Sequence, residues 1–461
     1  MQMGKRSLFK TNLQRVLIVG GGLIVLLASF WIMLSLVYAI PTSAMGKQLN
    51  ESKTIMEKES FYPSLYARQG IKASYDNFTV YYMLNLAAQS GPNPFVEALK
   101  SNQYFLEQNP SEALEKAIAG ESNGSYMRYW HGYLVFLKPL LLVFNIVQIR
   151  LLCQTLFFVL LVLVVGRLAC RGDPGIGVGV ILALSYCLFG AAQATETLPV
   201  FSSFALSLIG CLWMLYLSKK KIGERKKGVF TEGFILFCSF SVLGALAVYL
   251  DFLDNPILTL CVPAALYFYL ERRCLTLRKM LTILAAALIG WVIGYIGLWL
   301  GKWVLAEIIT GTPVISVALD RVMLRSGMSE PEVSGAQGGL KAILVNLSSL
   351  GFMKYIHLLT GLCALICAVI CIAKALRSKE SIDCSLAITC IGLLLVSLLP
   401  YLWYIAASNH SIVHATLLTF RTQIAAFFSW AMIVFLVIRE NVVNRYSCNW
   451  FFRKGKAQHK V

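Results

Sequence analysis

The chain has 461 residues, 57% of them hydrophobic and only 14% charged, and a mean hydropathy of +0.68. A soluble globular domain carries more charge and less apolar content, so this composition excludes one and points to a polytopic membrane protein. The net charge of +18 would suggest a nucleic-acid surface only if it were gathered on a soluble face, and it is not.

Mostly apolar runs of about 18 or more residues, the length that crosses about 30 Å of hydrocarbon as a helix, recur along the chain. Ten spans are expected, over 15–39, 148–170, 174–194, 198–217, 229–250, 256–271, 279–303, 355–376, 385–405 and 420–438. The expected fold class is all-α: a polytopic membrane bundle of about ten transmembrane helices with a helical first outer loop. Four parts follow. Residues 1–147 hold the first span and the long outer loop, 148–303 a transmembrane bundle, 304–354 a second outer loop, and 355–461 the C-terminal spans and a basic tail. The first apolar run, Val16 to Ile40, exceeds the apolar region of a signal peptide and reads as a retained anchor.

With these spans, the segments assigned to the cytosol hold 25 basic and 7 acidic residues, which accounts for the whole net charge. Lys5, Lys10, Arg171, Lys219, Arg272, Arg273 and Arg453 are among them. Such a bias is the positive-inside rule, so both termini are expected in the cytosol of a multi-pass cell-membrane protein with no nucleic-acid partner. None of the 13 cysteines lies in 41–145 or 304–354, which argues against a disulfide framework. Cys363, Cys367 and Cys371, at i, i+4 and i+8 in an apolar helix, read as packing residues.

In the first outer loop, "NESKTIMEKES" has the pattern of a short solvated helix. "YDNFTVYYMLNLAAQSG" is expected to start at an N-cap of Asp76 or Asn77, and "NPSEALEKAIAG" predicts a further helix capped by Ser111. In "YMRYWHGYLVFLKPLLLVFN", Tyr126, Tyr129, Trp130, Tyr133, Leu134, Leu137, Leu141 and Phe144 fall on one helical face, and Arg128, His131 and Lys138 on another. The pattern predicts a helix lying in the membrane interface, bent or ended by Pro139. Its cations have two readings: solvated anchors, or a stripe that faces lipid phosphates.

Polar residues gather on the outer side near the later spans. His410, His414 and Arg421, in "SNHSIVHATLLTFR", are spaced to share one helical face. Lys302, Arg321, Arg325, Asp251, Asp254 and Glu196 fall at the same level. Charges next to hydrocarbon are costly and tend to mark sites, so an outward polar cavity is expected. Each residue also has a plainer reading: Asp76, Asp251 and Asp254 as caps, Glu51 as a solvated charge, and the cations as interface anchors.

Sugar transfer from a polyprenyl-phosphate carrier would use such groups. A carboxylate takes the proton of the acceptor hydroxyl, and cations stabilise the departing phosphate. Arg421, Arg325 and Lys302 suit the phosphate, and His410 and His414 can donate to it. The cofactor is unknown. A divalent cation is compatible with this chemistry, and i, i+4 histidines suit zinc, but no third ligand is apparent.

A long outer loop after the first span, a strongly hydrophobic bundle, a later outer loop and scattered outer acids resemble the GT-C superfamily of integral membrane glycosyltransferases. That superfamily includes protein mannosyltransferases and the lipid A aminoarabinose transferase. The resemblance covers the architecture of nearly the whole chain. It implies a catalytic acid in the first outer loop, with Asp76, the only aspartate there, and Glu51, nearer the first span, as the candidates. No adjacent Asp-Asp or Asp-Glu pair is present in that loop. The expected partners are membrane lipids and a polyprenyl-phosphate-linked sugar. A lipid-linked substrate flippase or transporter would line its path with the same outer groups, and it stays as the alternative.

Overall fold

The computed structural model describes residues 2–63, 76–195, 198–219, 231–250, 253–329, 335–378 and 381–457. The N-terminal part comprises α1 (Gln2–Tyr38), α2 (Thr42–Glu59), α3 (Asn77–Ala88), α4 (Pro94–Lys100), α5 (Pro110–Ile118) and α6 (Leu134–Leu140). Strands β1 (Asn102–Gln103) and β2 (Gly124–Ser125) form a short antiparallel pair beside them. The central bundle follows, with α7 (Ile146–Ala169), α8 (Asp173–Leu188), α9 (Ala191–Ala194), α10 (Leu198–Lys219), α11 (Glu232–Leu250), α12 (Leu258–Glu271) and α13 (Leu277–Thr310). The last third holds α14 (Val314–Arg325), α15 (Gly335–Ser348), α16 (Met353–Ser378), α17 (Ser381–Ala406), α18 (Ser408–Val413) and α19 (Ile424–Ala457).

Among the described residues, eight helices are long and apolar enough to cross a membrane: α1, α7, α10, α11, α13, α16, α17, and the stretch Thr419–Glu440 that includes most of α19's apolar part. The protein is therefore a multi-pass α-helical membrane protein. The other two expected spans, 174–194 and 256–271, form helices of 16 and 14 residues, α8 and α12. At 1.5 Å per residue α12 is only about 21 Å long. Every side chain from Leu258 to Tyr269 is buried, against α10, α13, α17 and α19.

Backbone contact holds the bundle together where α11 meets α13. A Cβ on Gly290 or Gly294 would overlap the carbonyl oxygen of Phe237 or Ser241, and one on Gly244 would overlap that of Trp291. Small residues four apart let two helices approach this closely in lipid, where burial of apolar surface supplies no drive to associate. The helix α1 is the opposite case, with few residues of its apolar stretch buried. Its C-terminal end is anchored, because Trp31 Nε1 donates to the Phe95 carbonyl (2.9 Å) and Phe30 stacks on Tyr249 at 4.0 Å.

The segment between α1 and α7 departs from expectation in three places. First, "NESKTIMEKES" is part of an 18-residue amphipathic helix that buries Met45, Leu49 and Met56, rather than a short solvated one. Second, Ser111 lies inside α5, where its hydroxyl donates to Glu57 (2.6 Å). The cap is Asn109, which accepts from Glu112 N, with Pro110 in the first turn where its missing N–H costs nothing.

Third, 126–133 is not helical, and α6 covers only 134–140, ending one residue after Pro139. Distant partners hold the 126–133 segment in an irregular path of turns. Trp299 and Trp303 both donate to the Arg128 carbonyl (2.7 and 2.9 Å), Trp130 donates to the Leu298 carbonyl (2.9 Å), and Gly132 N donates to Tyr249 O (2.8 Å). His131 adopts φ 54, a value closed to a helix.

Candidate functional site

The bundle has two distinct ends. At one, the Ser385 hydroxyl of α17 accepts from Leu275 N (3.1 Å) and donates to the Arg272 carbonyl. From there α13 runs 34 residues, about 51 Å, to the other end, where Trp299 and Trp303 meet the 126–133 segment.

At this second end, the structure places Arg128, Arg321 and Arg325 around one cleft of about 120 Å³. Tyr129, Trp299, Trp303 and Trp403 form its aromatic wall, with Leu253 and the end of α17 closing it. The helix α14 sets Arg321 and Arg325 one turn apart, so both reach the same side. Hydrogen bonds from Ser408 to Ser326 O (2.8 Å) and from Asn409 to Leu324 O (3.0 Å) fasten α18 to the end of α14. Among the described residues no carboxylate lies within ion-pair distance of Arg128, Arg321 or Arg325. Arg128 instead stacks over Tyr126 (4.1 Å). Burial pushes the Tyr129 phenol up to about 12, and Arg128 and Arg325 partly offset that rise.

His414 and His410 complete the site. Arg325 Nη1 lies 3.4 Å from His414 Nε2, and the two imidazole rings are 4.5 Å apart. Arginine always donates, so His414 Nε2 is the acceptor in this contact. His410 Nε2 bonds the Leu253 carbonyl (3.1 Å), so it carries the proton and Nδ1 is left as a buried acceptor with no hydrogen-bond partner among the described residues. Burial and Arg325 hold His414 down at about 4; burial, His414 and Arg325 hold His410 well below its usual range. Both rings are therefore neutral at pH 7, and the arginines carry the charge.

Behind the cleft, Asp254 is buried within electrostatic range of Arg421, and Thr422 donates to Asn255 (2.8 Å). The residue immediately before α12 is Ile257, which makes no side-chain cap bond. Arg421 does not continue the face of the two histidines. The helix α18 ends at Val413, and Arg421 sits in a separate 3-10 turn, Thr419–Gln423, donating to the Leu417 carbonyl and stacking over Phe420 (4.5 Å). Asn346 explains the break. It donates to Ser411 O (2.8 Å), accepts from Thr419 Oγ1 (2.7 Å) and receives Gln423 at its carbonyl (3.1 Å), so the chain between the two helices turns around it.

Other candidate residues lie outside the cleft. Lys302 is buried and donates to the Ala98 and Leu99 carbonyls (3.1 and 2.9 Å). His131 bonds Tyr126 O (3.0 Å), and burial lowers it to about 3. Asp76 caps α3, accepting from Thr79 N (3.0 Å) and Thr79 Oγ1 (2.7 Å); burial raises its carboxyl. Glu51 is half-exposed between Lys47 (4.0 Å) and Asn145 (3.4 Å). Asp251 and Glu196 lie outside the described residues. Neither acid expected from the first outer loop therefore shares a contact with the cleft. Among the described residues no group of three or more His, Cys, Asp or Glu side chains is arranged to hold a metal ion.

Sequence reasoning missed the tryptophan wall and the Asn346 hub. A polar Asn in the middle of an otherwise apolar stretch was the available signal for Asn346. No family model, no curated protein and no solved structure matches this chain. The fold and the cleft thus define its class as a multi-pass helical membrane protein with an arginine-lined cleft at one end.

Proposed function

We propose that the protein is a membrane glycosyltransferase that moves a sugar from a polyprenyl-phosphate carrier to an extracytoplasmic acceptor, with the cleft at the outer face and both termini in the cytosol. The observation that supports this reading is the convergence of three arginines, with no carboxylate in ion-pair distance among the described residues, on a space far smaller than the usual 300–1,000 Å³ of a small-molecule pocket. Such a space suits one anionic headgroup whose lipid tail stays in the bilayer. Arg325 and Arg321 bind the carrier phosphate and stabilise the charge that builds on it as the glycosidic bond breaks.

Arg128 also lines a second depression of about 170 Å³, with Ser125, Met127, Thr312 and Val314. Acceptor and donor would then sit on either side of one guanidinium. Asp254, next to the cleft-lining Leu253, is the proton acceptor in this scheme, in place of Asp76 or Glu51.

The test is sugar transfer from a synthetic polyprenyl-phosphate sugar in proteoliposomes. Arg325→Ala is expected to lower the rate about 10²–10³-fold, and Arg325→Lys to recover part of it. Unchanged transfer in the alanine variant would overturn the reading. Lipid scrambling without transfer would assign the same cleft to a flippase.

A further inference from the structure

The far end of the bundle carries a second cationic site, which the glycosyltransferase reading does not use. A groove of about 900 Å³ opens between α7 and α10. Leu163, Leu212, Leu215 and Tyr216 form its walls, and Arg167, Arg171 and Lys219 gather at one end. Arg171 also lines a neighbouring pocket of about 280 Å³ together with Arg272, Arg273 and Arg439. These residues come from five separate elements: α7, the turn after it, the 3-10 turn Arg272–Cys274, α10 and α19. Exposed charges on a flexible loop could spread apart, whereas Arg171 and Arg272 are held in place. Arg171 donates to Leu215 O (3.1 Å) and Ser218 (2.8 Å), and Arg272 stacks over Tyr269 (4.2 Å) while donating to its carbonyl (2.9 Å).

Shape and charge change together along this surface. The long part of the groove is apolar and lies along two membrane-spanning helices, and the cations appear only where those helices end. Water-soluble anions have no use for the apolar length, and a zwitterionic lipid would bring an ammonium group into a cluster of guanidiniums. We infer that this is a site for an anionic phospholipid, its acyl chain in the α7–α10 groove and its phosphate between Arg171 and Arg272. Basic pockets between helix ends bind anionic headgroups by the same combination of charge and hydrocarbon contact. Because α13 and α17 separate the two ends, this lipid is not the carrier bound at the cleft.

Native mass spectrometry of the full chain, reconstituted in equal phosphatidylglycerol and phosphatidylcholine and then released into detergent, reads this site directly. One phosphatidylglycerol is expected to remain in preference to phosphatidylcholine. Arg167 and Arg273 are exposed and make no hydrogen bond among the described residues, so Arg167→Gln with Arg273→Gln leaves the fold intact; the preference is expected to drop roughly fivefold per arginine. Arg171→Gln should lower it further, with the thermal midpoint reporting any loss of folding. An undiminished preference in the folded double variant would overturn the inference. So would displacement of the lipid by inorganic phosphate at equal concentration, which would mark a site for a soluble anion. Sugar transfer by the double variant separates this outcome from failure of the cleft reading, since only the cleft variants should lose transfer in a uniform phosphatidylcholine membrane.

Discussion

Lys302 and Arg325 look alike in the sequence, as single cations beside apolar helices, and the structure gives them opposite tasks. Lys302 is buried and spends its ammonium on two carbonyl oxygens of α4. Lys138, also buried, does the same with the Gln89 carbonyl (2.7 Å), and burial alone brings its ammonium down to about 7. Arg325 and Arg128 line an open cleft, where aromatic rings and a neutral imidazole leave their charge intact. A cation saturated by carbonyls stitches segments together, and one that meets only rings is available to a ligand. Position along the chain does not distinguish the two; the identity of the neighbouring acceptors does.

The sharpest way to break this contrast is at the acid. Asp254→Asn keeps the shape and removes the proton acceptor, so transfer per folded molecule is expected to fall by about 10²–10⁴. A variant that still transfers at the wild-type rate would leave the cleft without its chemistry. Lys302→Met asks the complementary question. It leaves the Ala98 and Leu99 carbonyls unpaired and should cost about 1–3 kcal/mol of stability in a chemical melt, with transfer per folded molecule unchanged.

Acid titration sharpens the comparison at the histidines. Above pH 6.5 the His414 ring is neutral in both folded and unfolded chains. Below that pH only the unfolded chain takes up the proton, so stability drops by up to about 1.4 kcal/mol per pH unit until the folded ring protonates near pH 4. Thermal midpoints of wild type and His414→Gln should therefore diverge on acidification from pH 7 to pH 5, with the wild type losing more. The smallest effect belongs to Asp76→Ala, which removes a helix cap worth about 1 kcal/mol and should leave transfer untouched. Loss of transfer there, in a folded protein, would return the catalytic acid to the first outer loop.

The long spans were legible because a run of some twenty apolar residues has few other uses. Asp76 was legible as a cap because capping is local chemistry, decided within three residues. The cleft was half legible: Arg128, Arg325, His410 and His414 stood out as polar groups at a membrane boundary, and the fold brings them together. What could not be read depends on partners far along the chain. The aromatic spacing of 126–133 fits a helix, yet carbonyl bonds from Trp299 and Trp303, more than 160 residues away, hold it out of one. The face shared by His414 and Arg421 fails for a similar reason, since Asn346 supplies the acceptors and donors that turn the chain between them.

The short, enclosed α12 has a consequence for biosynthesis. A segment of about 21 Å cannot reach across a bilayer by itself, and its whole circumference is meant for protein. Two of the helices that wrap it, α17 and α19, leave the ribosome more than a hundred residues later. Until they arrive, α12 must wait beside α10 and α13 with one flank uncovered, so a nascent chain halted before α17 is the form in which insertion chaperones or membrane proteases should find this protein.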